Sequence, residues 1–267
     1  MNKINEKKAQ LEKEIEKLGR VAVAFSSGVD STFLLKTAHD ILGENAIAIT
    51  AKSKCFPKRE TVKAKEFCKK EGIKQIAFDF NPFLIEGFAE NPENRCYICK
   101  KELFSQIKYI AAQNEITHII EGTNVDDLSD YRPGLKAIEA MKILSPLVGA
   151  GLTKPEIRIL SKELNLDTYN KASFACLATR FPFGERITEK KLSAIEAAED
   201  MLYNLGFNQF RVRAHGKIAR IEVEKKDFEN VLLKKEEIAP YFKALGFDYI
   251  TLDLEGFRSG SMNKTGE

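Results

Sequence analysis

The sequence predicts an α/β fold in which helices cover both faces of a parallel sheet, followed by a small C-terminal α+β domain. Short β-branched runs alternate with longer amphipathic segments through the first two thirds of the chain. This alternation is typical of consecutive strand–helix–strand units, which build parallel sheets. The predicted strands are Val21–Phe25, Ala46–Ala51, Gln75–Phe80, His118–Gly122 and Lys142–Leu144, and the main intervening helices are Ser31–Leu42, Lys58–Glu71 and Lys100–Gln113.

The pattern changes after RFPFGE at residues 180–185, where a proline and a glycine interrupt the chain. We therefore predict a large domain over residues 1–185 and a small domain for substrate binding or oligomerisation over residues 186–267. The predicted elements of the small domain are a helix from Thr188 to Asn204, strands at Gln209–Arg213 and Ala219–Val223, a helix over Asp227–Ala244 and a strand at Tyr249–Leu254.

Composition and charge exclude several classes of protein. The 267 residues include 42 basic and 39 acidic side chains, a near balance that argues against a chain built to bind long nucleic acids. No apolar run approaches membrane-spanning length, and the charged N-terminal segment lacks the apolar core of a signal peptide. Five cysteines without an export signal indicate reduced thiols, so we expect a cytoplasmic protein.

A candidate phosphate-binding loop follows the first predicted strand. Its sequence, SSGVDS, comprises Ser26, Ser27, Gly28, Val29, Asp30 and Ser31 and leads directly into a helix. Small residues let the backbone turn tightly, and the helix N-terminus adds partial positive charge. The alternative is an ordinary capped strand–helix turn, with Ser27 or Asp30 as the cap.

A second glycine-containing loop follows the fourth predicted strand. It includes Gly122, Thr123, Asp126 and Asp127, and the carboxyl ends of parallel strands share one edge of the sheet. The two aspartates are predicted to hold Mg²⁺ against a phosphate or to orient a ribose. Alternatively, they cap the segment that follows them.

Three cysteines are candidates for a functional site. Cys96 and Cys99 form a CxxC pair at the start of a helical segment, and Cys176 lies in SFACLATRFPFG. A CxxC pair alone suits a zinc half-site, a redox pair or cluster ligation, whereas two cysteines plus one suggest a 4Fe-4S cluster with an open iron. The simpler alternative is that the pair is partly buried and structural. Cys55 and Cys68 are predicted to be structural.

The first loop resembles the SGGxDS motif of PP-loop ATP pyrophosphatases, which bind ATP and release pyrophosphate. Ser27 stands where that motif most often has glycine, so we expect no positive φ at this position.

More of the chain resembles the LarE family of ATP-dependent sulfur transferases in nickel-pincer nucleotide biosynthesis. The matching segments are FSSGVDS, NRCYICK, EGTNVDDLSDYRPG, SPLVGAGLTKPEIR, ACLATRFPFGERIT and VRAHGKIARIE. The resemblance implies ATP and Mg²⁺ as cofactors and pyridinium-3,5-biscarboxylic acid mononucleotide as substrate, whose adenylated carboxylates become thiocarboxylates. It implies that Asp30 and Cys176 are catalytic. It also implies a sulfur donor or a cluster assembly system as partner, and a ring-like homo-oligomer such as a hexamer.

The resemblance implies two sources of sulfur: a sacrificed cysteine at Cys176, or a 4Fe-4S cluster on Cys96, Cys99 and Cys176 that carries sulfide. We favour the cluster because this chain has all three cysteines.

Arginines are the candidate ligands of the substrate phosphate. Arg211 and Arg213 lie two apart on a predicted strand and therefore point to one face, and Arg180 lies four residues after Cys176. The alternative for all three is a salt-bridged or solvated face. Glu199 and Glu222 match acidic family positions without an assigned role, and Arg132 in SDYRPG is a further candidate near the site.

Three other functions remain open on the sequence. A PP-loop tRNA thiolase also uses such cysteines, but it would want a strongly basic face. An ammonia-using synthetase or amidotransferase shares the adenylation step, but it leaves the three cysteines unexplained. A regulatory nucleotide-binding module would bind ATP without releasing pyrophosphate.

Overall fold

The computed structural model describes residues 2–129, 133–258 and 260–262, which form two compact units. The first unit comprises Met1–Ser53, Lys58–Phe88 and Asn94–Lys171, and the second comprises Lys54–Pro57, Ala89–Glu93 and Ala172–Glu267. The domain boundary at residue 185 stays a prediction. Arg132 lies outside the described residues. Across the described ranges, no helix is both long and apolar enough to cross a membrane.

The first unit is built on a four-stranded, all-parallel sheet, which confirms the predicted fold class. Its strands are β1 (Val21–Ala24), β2 (Ala46–Lys52), β3 (Gln75–Asp79) and β4 (His118–Ile120), arranged in the order β3–β2–β1–β4. The first strand is thus central, and the loop that leaves it lies beside the loop that leaves β4.

Seven α-helices are described around this sheet. They are α1 (Asn2–Leu18), α2 (Val29–Leu42), α3 (Lys58–Glu71), α4 (Arg95–Gln113), α5 (Pro133–Ala140), α6 (Pro146–Gly149) and α7 (Lys154–Glu163).

Side chains alternate between two apolar layers, one on each face of the sheet. Val21 and Val23 of β1 pack with buried residues of α1, α2 and α7, such as Phe33. Ala22, which lies between them in sequence, packs instead with buried residues of α4 and α5, such as Phe104. The continuous apolar run of β1 therefore follows from its central position.

The second unit contains a mixed three-stranded sheet. Strand β5 (Phe210–His215) pairs antiparallel with β6 (Ile218–Val223), which pairs parallel with β7 (Tyr249–Leu252). Helix α8 (Glu189–Asn204) begins where the Thr188 side chain accepts a hydrogen bond from the Lys191 amide at 3.2 Å. Two further helices, α9 (Phe228–Leu233) and α10 (Lys235–Ala244), precede β7.

Two predicted elements require correction. The strand predicted at Lys142–Leu144 is reduced to a single parallel bridge between Leu144 and Ile120. Pro146 begins α6 two residues later, so the chain turns away before a ladder extends. The helix predicted over Asp227–Ala244 is two helices, because Lys234 departs from helical geometry (φ −96°, ψ 11°) without interrupting the apolar pattern.

Candidate active site

The SSGVDS loop connects β1 to the N-terminus of α2. Gly28 is the N-cap residue of α2 and accepts a hydrogen bond from the Thr32 amide at 2.9 Å. The hydroxyls of Ser26 and Ser31 are 3.1 Å apart, and Ser31 Oγ also donates to the Gly28 carbonyl at 3.3 Å. The helix N-terminus and these hydroxyls provide the donors and the partial positive charge that a phosphate requires.

Ser27 has a left-handed backbone conformation, with φ of +58°. The prediction that this position does not need positive φ is therefore wrong. The side chain of Ser27 donates to the carboxylate of Glu60 at 2.9 Å and to its carbonyl oxygen at 3.0 Å. Lys171 Nζ donates to the Ser27 carbonyl at 2.8 Å. Burial lowers the pKa of Lys171, although the charge of Glu60 opposes this shift.

The loop after β4 lies directly against the SSGVDS loop. A Cβ atom added at Gly122 would stand 2.9 Å from the backbone nitrogen of Ser31, so a larger residue forces the backbone to move. The buried carboxylate of Glu121 holds this second loop in place. It accepts hydrogen bonds from the Thr123 amide (3.0 Å), the Thr123 hydroxyl (2.8 Å) and the Ser145 hydroxyl (2.6 Å).

Asp30 of the first loop interacts with residues from distant parts of the first unit. Its carboxylate accepts hydrogen bonds from Lys154 Nζ, at the start of α7, and from Asn124 Nδ2 at 3.3 Å. Asp126 accepts the Lys154 amide at 2.8 Å, and Asp127 accepts the Asn124 amide at 3.1 Å. These two aspartates therefore orient loop backbones, as the capping alternative predicts.

Sequence reasoning missed five residues of this region. Lys154 stands 124 residues from Asp30 along the chain, and Lys171 stands 144 residues from Ser27, so no local pattern relates them. Only the position of Lys154 directly after a helix-capping threonine hinted at a location near a loop. The missed residues are Glu60, Glu121, Asn124, Lys154 and Lys171.

The cysteines divide into two groups by exposure. Cys96 and Cys99 lie three residues apart near the start of α4 and are half-buried, as is Cys176 in the second unit. Cys55 and Cys68 are buried, and burial raises the pKa of Cys68 to about 12. Within the described ranges, no three Cys, His, Asp or Glu side chains converge as ligands of one metal ion.

The backbone of Cys176 is held by several donors at the start of the 3₁₀-helix Leu177–Arg180. Its carbonyl oxygen accepts hydrogen bonds from the Thr179 amide (3.0 Å), the Thr179 hydroxyl (2.8 Å) and Arg180 Nη1 (3.3 Å). The next amide, of Leu177, donates to the Cys55 carbonyl at 2.8 Å. The half-buried thiol thus projects from a firmly held backbone.

Arg180 is completely buried and is paired with Glu199 of α8. Its Nε and Nη2 atoms donate to the two carboxylate oxygens at 2.6 and 3.1 Å, and neither side chain is exposed. Burial by itself would raise the pKa of Glu199. The positive charge and hydrogen bonds of Arg180, the charge of Arg211 and the Val212 amide instead hold it below its ordinary value.

Arg211 and Arg213 alternate along β5 and are also buried. Arg213 pairs with Glu222 of β6 at 3.0 Å and donates to the Thr179 carbonyl. Arg211 donates to the carbonyls of Phe210 and Ser173, and its guanidinium lies 5.0 Å from the ring centre of Phe257. Burial lowers the pKa of Arg211, as do the neighbouring charges of Arg180 and Arg213, while the two glutamates oppose this shift.

The chain has relatives among known proteins over nearly its whole length. No family model matches it. The chain is 40% identical over 249 residues to an uncharacterized protein of Synechocystis sp., which covers 92% of this chain and 93% of that protein. It is 38% identical over 260 residues to the pyridinium-3,5-bisthiocarboxylic acid mononucleotide synthase of Lactiplantibacillus plantarum, covering 97% and 94% of the two chains.

A more distant similarity covers part of the chain. Over 200 residues it is 26% identical to a component of the glutamine-hydrolysing GMP synthase of Thermoplasma volcanium, which is 69% of this chain and 63% of that protein. The parallel sheet with its SSGVDS loop is consistent with a PP-loop α/β fold. The near full-length identity to the bisthiocarboxylic acid mononucleotide synthase goes further, and from it we conclude that the chain belongs to the LarE family of sulfurtransferases.

Proposed function

We propose that this enzyme uses ATP to adenylate the carboxylates of pyridinium-3,5-biscarboxylic acid mononucleotide and converts them to thiocarboxylates. The product that gives the Lactiplantibacillus relative its name supports this substrate. The structural observation that carries the proposal is the close approach of two polar loops at one sheet edge, where Gly122 stands against the Ser31 backbone. Such an edge is where ligands bind in open α/β sheets.

The proposed ATP site combines both loops. Backbone amides and hydroxyls at the start of α2 suit the phosphates, and Lys154 adds a cation beside Asp30. Asp126 and Asp127 would hold Mg²⁺, since carboxylate oxygens are its preferred ligands, and the ion would neutralise phosphate charge. The proposed ATP-binding residues are Ser26, Ser27, Gly28, Val29, Asp30, Ser31, Gly122, Thr123, Asp126 and Asp127.

The chemistry proceeds in two displacements. A substrate carboxylate oxygen attacks the α-phosphorus of ATP, and pyrophosphate leaves. A sulfur nucleophile then attacks the carbonyl carbon of the acyl adenylate, and AMP leaves with the carboxylate oxygen. The mixed anhydride is needed because AMP is a far better leaving group than oxide. Asp30 would serve the first step by orienting Lys154 toward the phosphates.

The proposed site for the substrate phosphate is the arginine cluster of the second unit. Arg180, Arg211 and Arg213 face only two glutamates, Glu199 and Glu222, so the five buried side chains carry an excess positive charge. An excess of buried guanidinium charge favours a bound anion. Arg211 is the best candidate for direct contact, because Arg180 and Arg213 already pair with carboxylates.

Two sources of sulfur are compatible with the cysteines. Cys96, Cys99 and Cys176 would hold a 4Fe-4S cluster, and their half-buried thiols fit that role better than the buried Cys55 and Cys68. When bound, such a cluster would supply sulfide as the nucleophile. Alternatively, Cys176 gives up its own sulfur and is left as dehydroalanine.

Anaerobic reconstitution with iron and sulfide, followed by turnover with ATP and substrate, tests the proposal. Pyrophosphate release with a thiocarboxylate product supports the function. About four irons per chain, lost in C96A or C176A, would identify the cluster as the sulfur source. Without iron, loss of about one H₂S from Cys176, measured by mass spectrometry, would identify sacrifice of the cysteine. ATP binding without pyrophosphate release would overturn the proposal.

We also propose that the enzyme works in the cytoplasm as a homo-oligomer and receives sulfur from a donor or a cluster assembly system. The second unit exposes large apolar side chains, among them Leu233 (74% exposed) and Tyr249 (67%), which would be covered in an oligomer. Light scattering of the purified chain tests this, and a monomeric mass would refute it.

A further inference from the structure

A buried ionic network lies behind the proposed nucleotide loop. It joins Ser27 of the loop, Glu60 in the first turn of α3 and Lys171 in the segment after α7. The side chains of Lys171 and Glu60 are each 11% exposed, and Lys171 Nζ donates directly to Glu60 Oε2. None of the residues in the proposed site explains why the chain buries this ion pair here.

Ser27 is held in a conformation that serine adopts at a cost. At φ +58° a side chain crowds the following carbonyl, which costs roughly 1–2 kcal/mol relative to the right-handed region. Such strain persists only where the surroundings enforce it. Here the hydroxyl of Ser27 is held by Glu60 and its carbonyl by Lys171, so both ends of the residue are fixed.

Fixing the Ser27 carbonyl also fixes the next amide. The peptide unit is planar and trans, so the N–H of Gly28 points opposite to the Ser27 C=O. Lys171 draws that carbonyl inward, toward the ion pair, at 2.8 Å. The Gly28 N–H is therefore directed away from the ion pair, on the side of the loop where a phosphate would bind.

Lys171 is itself held in place before any ligand binds. Its carbonyl accepts a hydrogen bond from Arg158 Nη2 of α7 at 2.8 Å, and its amide donates to the Thr168 carbonyl at 3.0 Å. Arg158 also donates to the Tyr169 carbonyl at 2.6 Å. The ammonium group thus projects from an ordered backbone.

We propose that Lys171, supported by Glu60, is a positioning residue that holds Ser27 in its left-handed conformation and directs the Gly28 amide toward the ATP phosphates. Lys171 acts through the loop and does not itself touch the nucleotide. The inference rests on the proposed ATP site and adds two residues to it. It also explains how a serine serves at a loop position that needs positive φ.

A double-mutant cycle on ATP affinity tests this role. The dissociation constant for ATP is measured by calorimetry for the wild type, K171M, S27G and S27G/K171M, with K65M as a control on an exposed lysine of α3. Loss of a hydrogen bond from a charged donor predicts ATP binding about tenfold to hundredfold weaker in K171M. Because glycine adopts positive φ freely, the same substitution should weaken binding at least about fivefold less in the S27G background.

Each outcome of this cycle decides between distinct ideas. An equal loss of affinity in both backgrounds, or a loss in K171M no larger than in K65M, overturns the positioning role while leaving the ATP site standing. If the wild type does not bind ATP, the proposed function falls and this inference falls with it. If thermal melting shows that K171M does not fold, E60Q/K171M removes both charges of the buried pair, and the same comparison is made with and without S27G.

Discussion

Replacing Arg180 with methionine is expected to destabilise the second unit strongly. Methionine has a similar length and packs in apolar surroundings, but it leaves the Glu199 carboxylate without its ionic partner. Both side chains are completely buried and share two hydrogen bonds of 2.6 and 3.1 Å. Removing one partner of such a pair costs about 3–5 kcal/mol in the free energy of unfolding.

The double variant R180M/E199Q should recover most of that loss. Glutamine removes the buried charge but keeps an oxygen for the Val212 amide, which donates to Glu199 at 3.1 Å. The residual cost should be about 1–3 kcal/mol, the penalty of a buried polar group with an incomplete set of partners. R186M is the matched control, because Arg186 forms an ion pair with Glu90 in the same unit while exposed to solvent, and it should cost at most about 1 kcal/mol.

Chemical denaturation followed by tyrosine fluorescence and circular dichroism measures these differences, since the chain has no tryptophan. The pH dependence provides a second check. The folded pKa of Glu199 lies below that of the unfolded chain, so its ionic stabilisation is complete above about pH 4.3 and is lost as pH falls further. The stability advantage of wild type over E199Q should therefore shrink below about pH 4.

A cost for R180M equal to that for R186M would refute the reasoning, as would the absence of recovery in R180M/E199Q. A stable R180M with a much higher KM for the substrate would instead assign Arg180 to direct phosphate binding.

Three further predictions concern single positions. G122A should weaken ATP binding at least about tenfold, because its Cβ meets the Ser31 backbone at 2.9 Å; an unchanged dissociation constant by calorimetry would contradict the proposed loop contact. C176A should abolish thiocarboxylate formation but retain pyrophosphate release, and persistent product in a mass spectrum would remove Cys176 from the sulfur step. In the native chain at pH 8, iodoacetamide should leave Cys68 unmodified while Cys96 and Cys99 react, because the pKa of Cys68 is about 12 and its side chain is buried; rapid labelling of Cys68 by peptide mapping would contradict this.

The parallel sheet and most helices could be predicted from the sequence because their patterns are local. Helix α3 has the predicted bounds, and the four observed strands begin at the predicted residues. The strand at Lys142–Leu144 was predicted from its apolar composition, which cannot reveal how many partner residues a neighbouring strand offers. Strand β4 is itself only three residues long, so a single bridge forms.

The candidate site could be predicted only where a strand led directly into a loop. SSGVDS and EGTNVDD follow β1 and β4, and a parallel sheet brings such loops to one edge. The residues that support them, Lys154 and Lys171, come from segments far along the chain. The arginines of the second unit were found, but their burial and their carboxylate partners were not.

By itself, the sequence determined the fold class, the position of the nucleotide loop, the set of cysteines and the family, because each depends on residue type, local periodicity or spacing. Only the tertiary structure decided that Ser27 has positive φ, that Arg180 pairs with Glu199 and that Lys171 supports the loop. The physical reason is that backbone strain and buried charge depend on which groups come within hydrogen-bonding distance. For these groups that proximity is a product of the whole fold.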